Sequence, residues 1–131
     1  MALEKLAIKS VTSVLVVDAI EPALALWEGK LGFTRVAEVP HEKALGFVIL
    51  ARDSVQVMLQ TRASLAADLP AVAAHQPTSV LYVDVEALGP AAKAIEGAEV
   101  LVPERKTFYG AREIWVRDPQ GQIVGLSEHH R

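Results

Sequence analysis

The apolar and polar positions of this chain fall into the same order twice. Thr12 to Asp18 reads TSVLVVD and Thr78 to Asp84 reads TSVLYVD, identical at six of seven positions. Both runs are β-branched and apolar, which suits buried strands. An alanine-rich, helix-favouring stretch follows each, EPALALWEGKLGF after the first and VEALGPAAKAIEGAEV after the second. In the first stretch Pro22 suits an opening turn, where its missing N–H is no loss. Leu24, Trp27 and Leu31 form one apolar stripe, a core pattern, and Gly32 stands where a C-terminal cap is expected. In the second stretch Leu88, Ala91 or Ala92, and Ile95 share a face. Pro90 must then lie in the first turn, and Gly97 ends the helix.

Three strands complete each half. In the first they are expected at about 34–40, 45–51 and 55–61, and in the second at about 99–104, 112–117 and 122–127. The last two are joined by Asp118-Pro119-Gln120-Gly121, the residue order of a type I turn. Residues 62–77 form an alanine-rich linker, with a turn or two of helix expected between Ala63 and Leu69. The strand–helix–three-strand order recurs as a whole, which reads as a duplicated unit. The expected fold is α+β: two βαβββ repeats forming cupped mixed β-sheets with helices on the outer face. It makes one domain over 1–131, with repeat 1 at about 10–61 and repeat 2 at about 78–128.

The bulk properties narrow the chemistry. A length of 131 residues with 51% hydrophobic and 22% charged positions is an ordinary globular mixture. There is no cysteine, so disulfides, thiolate metal sites and cysteine nucleophiles are excluded. The net charge of −3 comes with no basic run, so no nucleic-acid partner is expected. The opening MALEKLAIKSV holds no signal-like apolar stretch and no run reaches membrane-spanning length. The chain therefore reads as cytoplasmic, without a membrane partner. No nucleophile-elbow or phosphate-loop pattern is present.

VLVVDAIEPALALWEGKLGF resembles the opening of the vicinal oxygen chelate superfamily, which includes glyoxalases, extradiol dioxygenases and bleomycin-resistance proteins. GAREIWVRDPQGQIVGLSE is similar to the family's closing hairpin, with Gly110, Arg112-Glu113, Asp118-Pro119 and Gly121 in their usual order. The resemblance covers about residues 10–128. It implies two cupped half-barrels facing a cavity, often completed by a second chain, and hence a homodimer. Exposed sheet edges and apolar concave surface support the same expectation.

Metal-using members of that family place one ligand on the first strand and one on the last strand of each unit. Those positions fall on Thr12, Met58, Thr78 and Gly125. None is a usual ligand for zinc, iron, nickel or manganese, and a one-residue slip does not supply one. The resemblance therefore implies the metal-free, bleomycin-resistance-like branch, with no cofactor and a small organic molecule as partner. An enzyme of the same superfamily with an atypical or metal-independent site is the alternative.

Alternation along the strands names the ligand-facing positions. Thr12 brings Val14 and Val16 inward, Thr78 brings Val80 and Tyr82, Met58 brings Gln56 and Gln60, and Gly125 brings Ile123 and Ser127. Trp115 shares a face with Glu113 and Arg117. It either stacks on a flat ligand or packs in a dimer interface. Glu113 would meet a donor or cation, or serve as a general base in a metal-free reaction. Tyr109, in the Phe108-Tyr109-Gly110 loop, either closes over a ligand or packs. The expected binding set is Thr12, Val14, Met58, Gln60, Thr78, Tyr82, Tyr109, Glu113, Trp115 and Gly125. His41, His75, His129 and His130 read as solvated surface residues. A relocated metal site on the adjacent tail pair is the alternative, and it is disfavoured because neighbouring residues on a strand point to opposite faces and cannot easily grip one ion.

Overall fold

The computed structural model describes residues 5–130. It is a mixed α+β fold with eight strands among the described residues: β1 (Ile8–Val17), β2 (Thr34–His41), β3 (Ala44–Arg52), β4 (Val55–Thr61), β5 (Ser79–Val85), β6 (Glu99–Lys106), β7 (Ala111–Arg117) and β8 (Ile123–His129). The chain divides into two compact units, Thr12–Val80 and residues 81–130 with 5–11. Among the described residues no helix is long and apolar enough to cross a membrane.

In the first unit the strand order is β2-β3-β4-β1. β1 runs parallel to β4, with Val14 opposite Met58 and Val16 opposite Gln60, and the other pairs are antiparallel. Ile20, Val48, Leu50, Val57 and Leu59 are buried on one face, with Leu24, Trp27 and Phe33 packed against them. Trp27 meets Phe33 edge to face at 5.2 Å, the core role that its spacing indicated.

The first helix is not regular. A 3₁₀ turn at Glu21–Ala23 leads into a wider, π-type winding over Ala25–Lys30. The Leu31 N–H reaches back five residues to the Leu26 carbonyl and the Phe33 N–H six residues to that of Trp27. This winding turns Leu31 out to solvent, while Leu24 and Trp27 stay inward. The stripe is thus two residues, not three. The linker is mostly helical, as α1 (Arg62–Asp68) and α2 (Pro70–Ala73). Thr61 caps α1 by accepting the Ser64 N–H at 3.1 Å.

In the second unit the order is β5-β8-β7-β6, with β5 parallel to β8. Helix α3 (Leu88–Ala94) covers one face. Leu88 and Ala91 pack there on Val83, Val85, Ile114, Val116 and Leu126. The β7–β8 turn has the expected chemistry. Gly121 N–H donates to the Asp118 carbonyl at 3.0 Å, and the Asp118 carboxylate accepts the N–H groups of Gln120 and Gln122. Since α3 takes one set of alternating side chains, the other set on β5, β7 and β8 is left for the opposite face. That set includes Tyr82, Asp84, Glu113, Trp115, Arg117, Gly125, Ser127 and His129.

Candidate functional site

Glu113 is the centre of that face. Its carboxylate is fully buried on β7, yet it is held entirely by polar partners. Oε1 accepts from Arg105 Nη2 at 2.9 Å, Arg105 Nε at 3.2 Å and the Trp115 indole at 3.0 Å. Oε2 accepts from the Tyr82 hydroxyl at 2.6 Å and from the Tyr109 hydroxyl. A buried carboxylate is tolerable only with a counter-charge and a full set of donors, and both are supplied here.

Tyr82 oxygen also lies 3.0 Å from His129 Nε2. Its single proton goes to Glu113, so His129 must donate from Nε2. The three side chains form one hydrogen-bonded row. The Tyr109 ring stacks on His129 with centroids 6.1 Å apart, and Tyr82 leans on Trp115 at 6.0 Å. Ser127 Oγ donates to the Val83 carbonyl at 3.3 Å. Asp84 Oδ1 and Arg117 Nε are buried without a hydrogen-bond partner among the described residues.

Burial raises the pKa of both tyrosines above the ordinary 10.0, and the adjacent Glu113 charge adds to the effect. These are the chain's two tyrosines. A phenol whose folded pKa is raised contributes stability that is fully present below its unfolded pKa and is lost as pH climbs toward the folded value. Alkaline titration should therefore show no phenolate absorbance around pH 10 while the protein stays folded. Ionisation should instead appear together with loss of structure at higher pH. Reversible ionisation of either tyrosine near the ordinary value in the folded protein would contradict the geometry.

Of the expected set, Tyr82, Tyr109, Glu113, Trp115 and Gly125 come together here. Their roles differ from the expectation in two respects. Glu113 does not present a free carboxylate, because the chain's own donors saturate it. Trp115 is 4% exposed, so it underlies the face rather than lining open space. Thr12, Val14 and Met58 are buried on the face of the first unit away from its core, and Gln60 donates to Ser64 on α1 at 3.1 Å. Thr78 sits just before β5 with its side chain exposed, and its carbonyl accepts the Val16 N–H.

Two residues of the cluster, Arg105 and His129, lie outside the expected set. His129 obeys simple alternation from Gly125 and Ser127, and β8 merely runs two residues further than expected. Arg105 does not obey it. The β6 register places both Val102 and Arg105 opposite the same face, at Trp115 and Glu113, through an irregularity between them. Pro103, which has no N–H to pair, lies in that interval.

The four positions to which the resemblance assigns metal ligands each offer an ion no usual donor. A hydroxyl on Thr12, an exposed Thr78 and the Met58 thioether are poor donors. At Gly125 the Trp115 ring fills the space a side chain would need: a Cβ there would come 2.6 Å from the indole. Among the described residues no group of three or more His, Asp or Glu could hold a metal ion.

The Glyoxalase/Bleomycin resistance protein/Dioxygenase superfamily profile matches residues 7–126. No curated protein matches the chain. Among solved structures, a glyoxalase/bleomycin resistance protein/dioxygenase superfamily member from Vibrio splendidus 12B01 is similar at 21% identity and a TM-score of 0.70, over 95% of this chain and 99% of that one. Methylmalonyl-CoA epimerase from Mycobacterium tuberculosis is similar at 16% identity and a TM-score of 0.68, over 98% and 90%. The Streptomyces coelicolor methylmalonyl-CoA epimerase in complex with 2-nitronate-propionyl-CoA is similar at 13% identity and a TM-score of 0.68, over 97% and 100%. At these identities the structural likeness speaks for the fold alone. The sequence match extends from β1 into β8, and on it the chain belongs to the glyoxalase/bleomycin resistance protein/dioxygenase superfamily.

Proposed function

We propose that this protein binds a small organic molecule without a catalytic metal, on the face of β5, β7 and β8 away from α3. The observation that carries this reading is the Trp115–Gly125 contact. An aromatic plate occupies the place of a metal-ligand side chain, and the carboxylate beside it is neutralised by Arg105 instead of by an ion. What remains at this face is aromatic and hydrogen-bonding: Tyr82, Tyr109 and His129. Such surfaces recognise flat organic groups.

The test has two arms. Elemental analysis after dialysis should find no stoichiometric transition metal, and chelators should leave the melting temperature unchanged. One tightly held zinc, nickel, manganese or iron per chain would overturn the reading. A panel of planar compounds should include some that raise the melting temperature by mass action. Their effect should be lost in Tyr82→Ala.

The row Glu113–Tyr82–His129 favours a second reading, an enzyme that moves a proton without a metal. Methylmalonyl-CoA epimerases share the fold. Exchange of solvent deuterium into a bound ligand at a carbon next to a carbonyl, absent in Tyr82→Phe, would favour catalysis over binding alone.

A further inference from the structure

We propose that Tyr109 stands in the place of a bound phenol, so that the ligand class of this face is the hydroxyaryl compounds. A ligand hydroxyl would take over the Tyr109 bond to Glu113 Oε2, and its ring would lie on His129. This deepens the small-molecule reading and rests on it.

The donors around Glu113 are not equally replaceable. Arg105, Trp115 and Tyr82 sit on β6, β7 and β5, within paired ladders. Tyr109 alone sits on a turn. It is 43% exposed, it follows Phe108 at 81%, and it precedes Gly110, whose φ of +83° suits a tight reversal. The base of the turn is firm. Thr107 N–H donates to the Ala111 carbonyl at 2.8 Å, and Ala111 N–H to Thr107 Oγ1 at 2.9 Å. Gly110 is tied as well, its carbonyl accepting the His130 N–H at 2.9 Å, so Tyr109 leaves by turning its side chain out from a held backbone.

Its departure would leave Glu113 Oε2 with Tyr82 as its one remaining donor, and an arriving hydroxyl would restore the second bond to this buried oxygen. The vacated place would be flat, bounded on one side by the His129 ring, with an acceptor at its end. An aromatic ring bearing a hydroxyl fits that description because one already occupies it. The open polar position nearby is also an acceptor, the buried Asp84 Oδ1 across Ser127 on the same face. Two acceptors disfavour a carboxylate-bearing ligand. Arg105 already balances the Glu113 charge, so a neutral hydroxyl is a better replacement than an ammonium group.

The test uses para-cresol as probe and toluene as its matched control without the hydroxyl. Binding is followed by calorimetry and by the ring resonances of Tyr109 and His129. Para-cresol should bind the wild type and shift both rings, while toluene binds at least about tenfold more weakly. Tyr109→Phe removes the internal competitor's hydrogen bond and should tighten para-cresol binding about tenfold, because the open state becomes more populated. Glu113→Gln should narrow the difference between the two probes. Should that variant fail to fold, the Tyr109→Phe comparison decides alone. Equal affinity for the two probes, or no gain in Tyr109→Phe, would overturn the inference. If other planar compounds shift Tyr82 and His129 while para-cresol does not, the phenol assignment fails and the binding face stands. If no compound perturbs the face, both readings fall.

Discussion

Replacing Glu113 with alanine should destabilise the protein by about 3–5 kcal/mol, the range for breaking a buried ion pair by removing one partner. The side chain is fully buried, and its loss removes the acceptor from two Arg105 N–H groups, the Trp115 indole and both tyrosine hydroxyls. Arg105 keeps 22% side-chain exposure, so part of its charge can turn to water, which places the expected cost toward the low end. Glu113→Gln should cost less, about 1–2 kcal/mol. Its amide oxygen can still serve Arg105 and Trp115, while the tyrosine hydroxyls rotate to accept from the amide nitrogen. Urea unfolding gives the comparison through a lower midpoint at constant slope. A loss below about 1 kcal/mol for the alanine variant would mean that the cluster is not joined as described.

Much of this cluster was legible as periodicity. The two-residue repeat of strands puts Tyr82, Glu113, Trp115 and Gly125 on one face, and the β5–β8 and β7–β8 registers join them. The β7–β8 turn was readable because Asp118, Pro119 and Gly121 each have a separate physical reason to be there. Three things were not readable. The β6 irregularity around Pro103 brings Arg105 to a face that alternation assigns elsewhere, and no local pattern fixes where a ladder slips. The winding of Ala25–Lys30 depends on how Leu24 and Trp27 seat against the first core, which is a tertiary matter. Saturation of Glu113 depends on Tyr109 and Arg105 arriving from separate segments, and residue type alone does not show whether a carboxylate is free or consumed.

The second large effect is expected at Gly125. Any side chain there places a Cβ 2.6 Å from Trp115 Cη2 and Cζ2, well inside contact distance. The indole cannot slide away freely, since its Nε1 is bonded to Glu113 and the ring is buried. Gly125→Ala should therefore cost about 1–3 kcal/mol as overpacking. Gly125→Glu should cost more, because it adds a carboxylate beside the one at Glu113. It should confer no zinc affinity, because the indole fills the space that the new side chain would need and the adjacent Glu113 is already held by Arg105. Trp115→Phe alone loses the bond to Glu113 and some buried area, yet it makes room at position 125. The double variant should thus be more stable than the sum of the two single losses predicts, by about 1 kcal/mol or more. Strict additivity would show that the ring does not lie on Gly125 in solution. The aromatic plate would then no longer explain why a side chain is missing at that position, and the metal-free reading would lose its main structural support.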